Sequence, residues 1–184
     1  VQREADPEGF TPTASTMVAL ALGHALAVAL MQARGFKVEH FQRYHPSGQL
    51  GHNLRMRVAD VMHCGDEVAW VRAEDSLKHV VIEMSTRPLG AACVVSADRR
   101  LLGLVTDGDV RRALRNHDDI RPLRASDVMT ASPVTVDPQA LVHAALALME
   151  DRPSQIYVLP VVDPRTSVCG GLIRLHDIYH SSRK

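Results

Sequence analysis

Between Met17 and Met31 the chain reads MVALALGHALAVALM, and its apolar residues cover every face of a helix rather than one stripe. That pattern predicts a helix buried on all sides. Thr11, Thr13, Ser15 and Thr16 are N-cap candidates, and Gly35 is a C-terminal stop. Further on, Leu77, Val80, Val81 and Met84 fall at i, i+3, i+4 and i+7, the stripe of an amphipathic helix. Ala92–Val95 and Leu101–Val105 predict two strands around an Asp98-Arg99 turn, followed by a helix from about Asp107 to Asn116. A similar order then returns. Pro133–Val136 predicts a strand, and Asp137 caps a helix with Pro138 in its first position. That helix has an apolar stripe of Ala140, Leu141, Ala144, Ala145, Leu148 and Met149. Ile156–Val162 and Val168–Ile173 predict strands around an Asp163-Pro164 turn, and a short helix closes the chain.

The recurrence extends to individual residues. Asp60-Val61-Met62 returns as Asp127-Val128-Met129, 67 residues on. Gly103-Leu104-Val105 returns as Gly171-Leu172-Ile173, and Asp109 as Asp177, both 68 residues on. Landmarks at nearly one offset define an internal repeat. Two β-α-β-β-α units follow, 58–117 and 125–184, and the fold class is α+β. The combination resembles the CBS domain, a regulatory module that usually occurs as a tandem pair. Gly103-Leu104-Val105-Thr106-Asp107-Gly108-Asp109 matches its G-h-h-T-x-x-D signature. In the second repeat Val128-Met129, Val134-Thr135-Val136, Leu159-Pro160-Val161-Val162-Asp163 and Asp177-Ile178 match it as well.

Thr106 ends a strand and opens a helix, so it and Asp109 are placed to form a reciprocal capping box. The same helix N-terminus presents free N–H groups and positive potential to a phosphate, and a carboxylate beside it can accept from ribose hydroxyls. The CBS resemblance implies that Thr106 contacts phosphate and Asp109 holds the ribose. In the second repeat Arg174 stands where the signature has Thr or Ser, three residues before Asp177. Arg174 either grips a phosphate with two prongs or is a solvated cation beside an empty site. The expectation is one good ligand site at Thr106 and Asp109 and a doubtful one at Arg174 and Asp177.

Residues 1–57 carry Gly23-His24-Ala25-Leu26-Ala27, Arg34-Gly35-Phe36 and His45-Pro46-Ser47-Gly48. This stretch resembles the tail of the sugar isomerase (SIS) domain of arabinose-5-phosphate isomerases, in which it runs into a CBS pair. The family usually has Gly-Asp-Ala-Leu-Ala and His-Pro-Gly-Gly at these places. The resemblance implies aldose–ketose isomerisation of a sugar phosphate, ribulose 5-phosphate to arabinose 5-phosphate, for synthesis of the lipopolysaccharide sugar Kdo. His45 takes the family's catalytic position, and an imidazole suits proton transfer between C1 and C2. The phosphate loop and most of the sheet of a SIS domain are absent, so these 184 residues alone are expected to be inactive as an isomerase. The ligand expected at the CBS pair is an adenine nucleotide or a pathway nucleotide sugar.

Composition narrows the function classes. Lys and Arg number 21, as do Asp and Glu, so formal net charge is zero with the ten His neutral, and a basic nucleic-acid binder is excluded. Apolar residues make up 46%, enough for a packed core. Three scattered cysteines without CxxC argue against a disulfide framework and point to the cytoplasm. The chain starts at Val1 with no signal pattern and reads as a fragment of a longer protein. The 15 residues of Met17–Met31 fall short of the ~20 a bilayer crossing needs, so no membrane partner is expected. A metal reading would rest on His63-Cys64 with Asp66 or on the His-rich composition; adjacent His and Cys point to different sides on regular structure and no second ligand pair at metal spacing appears, so no metal site is expected. Neither GxGxxG nor GxxxxGK[ST] is present, and Gly170-Gly171 reads as a strand-end pair. The apolar helix requires cover, from the CBS pair or from a second copy of the chain, and a dimer or higher oligomer is expected. The rival to a ligand-binding module is an interaction scaffold that holds subunits together and binds nothing.

Overall fold

The computed structural model describes residues 1–37, 40 and 56–181, and the chain divides into two units, Val1–Pro46 and Ser47–Lys184. In the first, helix α1 spans Ala14–Ala33. Thr13 holds its N-cap position, but no Thr or Ser side chain caps it. The Glu4 carboxylate does so instead, accepting from the N–H of Thr13 at 2.8 Å and of Ser15 at 3.1 Å. Bonds from Ser15 and Thr13 hold that carboxyl down at about 2. The expected stop is present: Gly35 turns at φ +55° and Phe36 N–H donates to the carbonyl of Met31 at 2.8 Å.

Two expectations about this helix are corrected. It is 20 residues long rather than 15, and by length and composition alone it is long and apolar enough to cross a membrane. None of its residues is buried, because the described part of its unit does not cover a surface that is apolar all round.

The second unit carries the repeat. Its first half comprises β1 (His63–Cys64), β2 (Ala69–Val71), α2 (Leu77–Thr86), β3 (Ala91–Val95), β4 (Leu101–Thr106) and α3 (Asp107–Asn116). Its second half comprises α4 (Ala125–Val128), α5 (Val142–Glu150), β5 (Val158–Val162), β6 (Cys169–Arg174) and α6 (Leu175–Ser181). Two three-stranded sheets form, β2-β3-β4 and β1-β6-β5. β2 runs parallel to β3, while β3–β4 and β5–β6 are antiparallel hairpins. Pro133–Val136 is not a strand. Only Val136 makes a bridge, parallel to Val161, and Pro133 has no N–H to donate to a ladder. α5 begins later than Asp137 predicts, because Asp137 is spent on a turn. Its side chain accepts from Gln139 N–H at 2.7 Å and its carbonyl from Ala140 N–H at 3.0 Å.

The two repeats exchange their lead-in segments. β1 precedes the first repeat's own sheet yet pairs with β6, His63 opposite Leu172 and Cys64 opposite Gly171. Thr130, one offset on from His63, pairs in turn with Leu104 of β4. The exchange extends upstream. Val58 N–H donates to Ala140 at 2.9 Å and Ala59 N–H to Pro138 at 3.0 Å; Ala125 N–H donates to Asp75 at 2.8 Å and Ser126 N–H to Ala73 at 3.0 Å. Arg57 and Arg124 repeat the symmetry, their guanidinium groups donating to the carbonyls of Gln139 and Glu74.

The cores follow this exchange. Val58 is buried with Val142, Met149, Leu159 and Ile173 of the second repeat, and Ala125 with Leu77, Val80, Val94 and Val105 of the first. A third core lies where the sheets face each other, built from Val68, Ala91, Cys93, Leu104, Val158, Cys169 and Leu172. β3 is therefore buried on both faces and reads as an unbroken apolar run.

Two glycines make the crossings possible. A Cβ on Gly171 would stand 2.0 Å from the His63 carbonyl oxygen, and one on Gly103 would stand 2.9 Å from the Thr130 carbonyl oxygen. Gly170-Gly171 is thus not a strand-end pair: it lies inside β6, and Gly171 marks where another backbone passes. Gly171→Ala should cost ~2–4 kcal/mol in denaturant unfolding, since a main chain rather than a side chain must move. Gly170→Ala, whose Cβ would meet nothing closer than 4.0 Å, should cost under ~1 kcal/mol.

Candidate ligand site between the repeats

The two signature motifs stand at the ends of β4 and β6, each where a strand hands over to a helix. At the first, the capping box forms as the sequence predicts. Asp109 N–H donates to Thr106 Oγ1 at 3.3 Å, and Asp109 Oδ2 accepts from Thr106 N–H at 2.8 Å and from its hydroxyl at 2.6 Å. Arg112 donates to the other carboxylate oxygen at 2.5 Å. Asp109 is only 6% exposed, the one buried charged residue among those described.

At the second motif the replacement of the small cap by Arg174 changes the chemistry. Its Nε and Nη2 donate to the two oxygens of Asp177, each at 2.8 Å, a parallel fork of the kind a planar guanidinium favours. Its Nη1 reaches the Pro88 carbonyl of the first repeat at 3.4 Å. His63, carried in on the exchanged strand β1, places Nε2 3.0 Å from Asp177 Oδ2 and Nδ1 2.9 Å from Glu67 Oε2. Burial pushes the Asp177 carboxyl up, but the bonds and charge of Arg174, aided by His63, outweigh it and hold the group below the usual carboxylate range. The same pairing raises Arg174 further.

Arg174 also faces a pocket of about 380 Å³ between the repeats. Its other walls are Val81, Met84 and Ser85 of α2, the Pro88–Gly90 turn, and Asp107 and Val110 of α3. The turn needs its glycine: Gly90 sits at φ +76°, and its carbonyl accepts from Asp107 N–H at 3.2 Å. The wall mixes the apolar side chains of Val81, Met84, Leu89 and Val110 with Ser85, one cation and one carboxylate, a composition suited to a ligand with a flat apolar part and a charged part.

Of the residues predicted from sequence, Arg174 lines this pocket. Thr106 and Asp109 are not among its walls; they stand at the head of α3, whose Asp107 is, and are bonded to each other. Asp177 lies behind Arg174 and holds it. His45 lies outside the described residues. The sequence groups His63 with Cys64 and Asp66; its partners in the fold are Glu67 and Asp177. Among the described residues no group of three or more His, Cys, Asp or Glu could hold a metal. Sequence reasoning missed His63 as a partner of Asp177 and Asp107 as a pocket wall. The first had no local signal, since His63 and Asp177 lie 114 residues apart.

Comparison with known proteins agrees with this architecture. The CBS domain model matches residues 58–116 and 125–184, and the chain belongs to the CBS domain family. Across 178 residues, 97% of the chain, it is 39% identical to the arabinose 5-phosphate isomerase KdsD of Escherichia coli K12 and 42% identical to that of Pseudomonas aeruginosa. The match falls in the C-terminal part of those enzymes, and the chain spans about half their length, 53% and 54%. The crystal structure of CBSX2 in complex with AMP shares the fold, with a TM-score of 0.58 at 19% identity over 70% of this chain and 96% of that one.

Asp177 has a lowered carboxyl in the folded state, so its contribution is present above about pH 4 and lost as pH falls through the lower folded value. Asp177→Asn should cost ~1–2 kcal/mol at pH 7. It should also flatten the wild-type loss of melting temperature between pH 5 and pH 2, read by thermal unfolding across that range. Equal slopes for the two proteins would contradict the ion-pair account.

Proposed function

We propose that this chain is the regulatory, nucleotide-binding CBS pair of an arabinose-5-phosphate isomerase. The whole enzyme interconverts ribulose 5-phosphate and arabinose 5-phosphate for synthesis of Kdo and lipopolysaccharide in the cytoplasm. The observation that carries the reading is the pocket of about 380 Å³ between the repeats, where the guanidinium of Arg174 faces the apolar side of α2. That volume lies within the range of small-molecule sites. In this reading an adenine nucleotide or a pathway nucleotide sugar lays its base against the apolar wall. Arg174 and the N-terminus of α3, with Thr106, take its phosphate. Asp109 takes a ribose hydroxyl in exchange for one of its bonds to Thr106 or Arg112. His45 is the general base of the isomerisation within a complete SIS domain, to which residues 1–57 contribute the tail. This chain by itself has no turnover, and it assembles as a dimer or higher oligomer that covers α1.

A second reading, a scaffold that binds nothing, is favoured by one feature. Asp109 and Asp177, the two signature carboxylates, both have internal partners on each oxygen.

Thermal unfolding with AMP, ATP and a cytidine nucleotide sugar at millimolar concentration separates the two. A ligand at a hundredfold excess over its Kd adds ~2.7 kcal/mol and raises the midpoint by about 5 °C or more. Asp109→Ala should abolish the shift and Arg174→Ala should reduce it. No shift with any of the three, in a protein that keeps its oligomeric state, selects the scaffold.

A further inference from the structure

We propose that Cys93 and Cys169 form a redox modification site, at which a hydroperoxide converts the two thiols into a disulfide tying one repeat to the other. The inference is independent of any ligand at the pocket.

The two sulfurs come from opposite repeats and meet in the core between the sheets, Sγ to Sγ 3.8 Å apart. Cys93 lies in the middle of β3, and Cys169 opens β6. The sulfurs are in contact, and a disulfide would draw them to ~2.05 Å. The surrounding frame is fixed on both sides. Cys169 N–H donates to the Arg99 carbonyl at 2.9 Å, and the neighbouring Arg100 and Val168 are bridged.

The chemistry of the pair is asymmetric. Contact with Cys169 and burial raise the Cys93 thiol, while the positive charge of Arg99 acts to lower both thiols. The guanidinium of Arg99 is held in place over the Trp70 ring, 4.3 Å from its centroid. Cys169, next to an exposed turn, is the thiol a peroxide reaches first, and Cys93 is the resolving thiol. Both are nearly fully buried, at 1% and 0% exposure, but Cys169 directly follows an exposed turn, with Val168 37% exposed. Local opening of that turn is the route by which a small oxidant reaches it.

The steps balance. The Cys169 thiolate attacks one peroxide oxygen, the O–O bond breaks, and the other oxygen leaves as an alcohol or water, giving a sulfenic acid. Cys93 loses its proton, its sulfur attacks Cys169, and hydroxide leaves as water. The peroxide is reduced by two electrons and the two thiols are oxidised by two. In a reducing compartment such a bond is transient, which is the usual character of disulfides there.

The test uses the full chain carrying Cys64→Ser, since Cys64 is exposed and would add intermolecular products. Native protein is treated with hydrogen peroxide, unfolded in an alkylating reagent and weighed intact. The expected product has lost 2 Da and takes no alkyl groups. Dithiothreitol restores two alkylations, and the rate does not depend on protein concentration. In the added variant Cys93→Ser, Cys169 should accumulate as a sulfenic acid trapped by dimedone. In Cys169→Ser, Cys93 should remain unmodified. Two alkylatable thiols after treatment of the native protein, separate sulfinic acids without loss of 2 Da, or a disulfide that forms only in denaturant would each overturn the proposal.

Discussion

The backbone of one repeat passes so close to the backbone of the other that no side-chain carbon fits between them. At Gly171 a Cβ would stand 2.0 Å from the His63 carbonyl, and at Gly103 one would stand 2.9 Å from the Thr130 carbonyl and meet the Met129 side chain as well. Everything in the second unit depends on these two crossings. They set β1 on β6 and Thr130 on β4, and they deliver Val58 and Ala125 to cores that belong to the opposite repeat. Among the described residues, all three cores take side chains from both repeats.

The same exchange shapes the chemistry of the site. His63 arrives beside Asp177 only because its strand is lent to the second sheet. Arg174 in turn bridges repeats, bonded to Asp177 on one side and facing the pocket wall of the first repeat on the other. A phosphate approaching Arg174 meets a guanidinium with three of its five N–H donors already engaged. Affinity there is a difference between two competing partners rather than the full strength of an arginine–phosphate pair.

Much of this was legible in the chain. The offsets of 67 and 68 disclosed the duplication, and α3 spans Asp107–Asn116 as the capping box and periodicity predict. The hairpin strands fall within two residues of the apolar runs, because a strand buried on both faces leaves a plain hydrophobic signature. The Thr106–Asp109 box was readable since it involves neighbours three apart. What was hidden depends on partners far along the chain. Nothing local to Gly171 says that His63 crosses it, and nothing local to Asp137 says that its side chain closes a turn and delays α5 to Val142. For α1, hydrophobicity on all faces correctly predicted a helix but not its surroundings, which lie beyond what periodicity encodes.

Exchange of lead-in segments also dictates an order of events as the polypeptide emerges from the ribosome. Val58 is made early, but Met149, Leu159 and Ile173, beside which it is buried, are made last. The first repeat, complete in letters at Asn116, still awaits Ala125 for its core and Thr130 for its sheet. At ~10 residues per second, Val58 waits roughly ten seconds for β6 to appear. During that interval the nascent chain displays uncovered apolar surface, a window in which chaperones have something to hold.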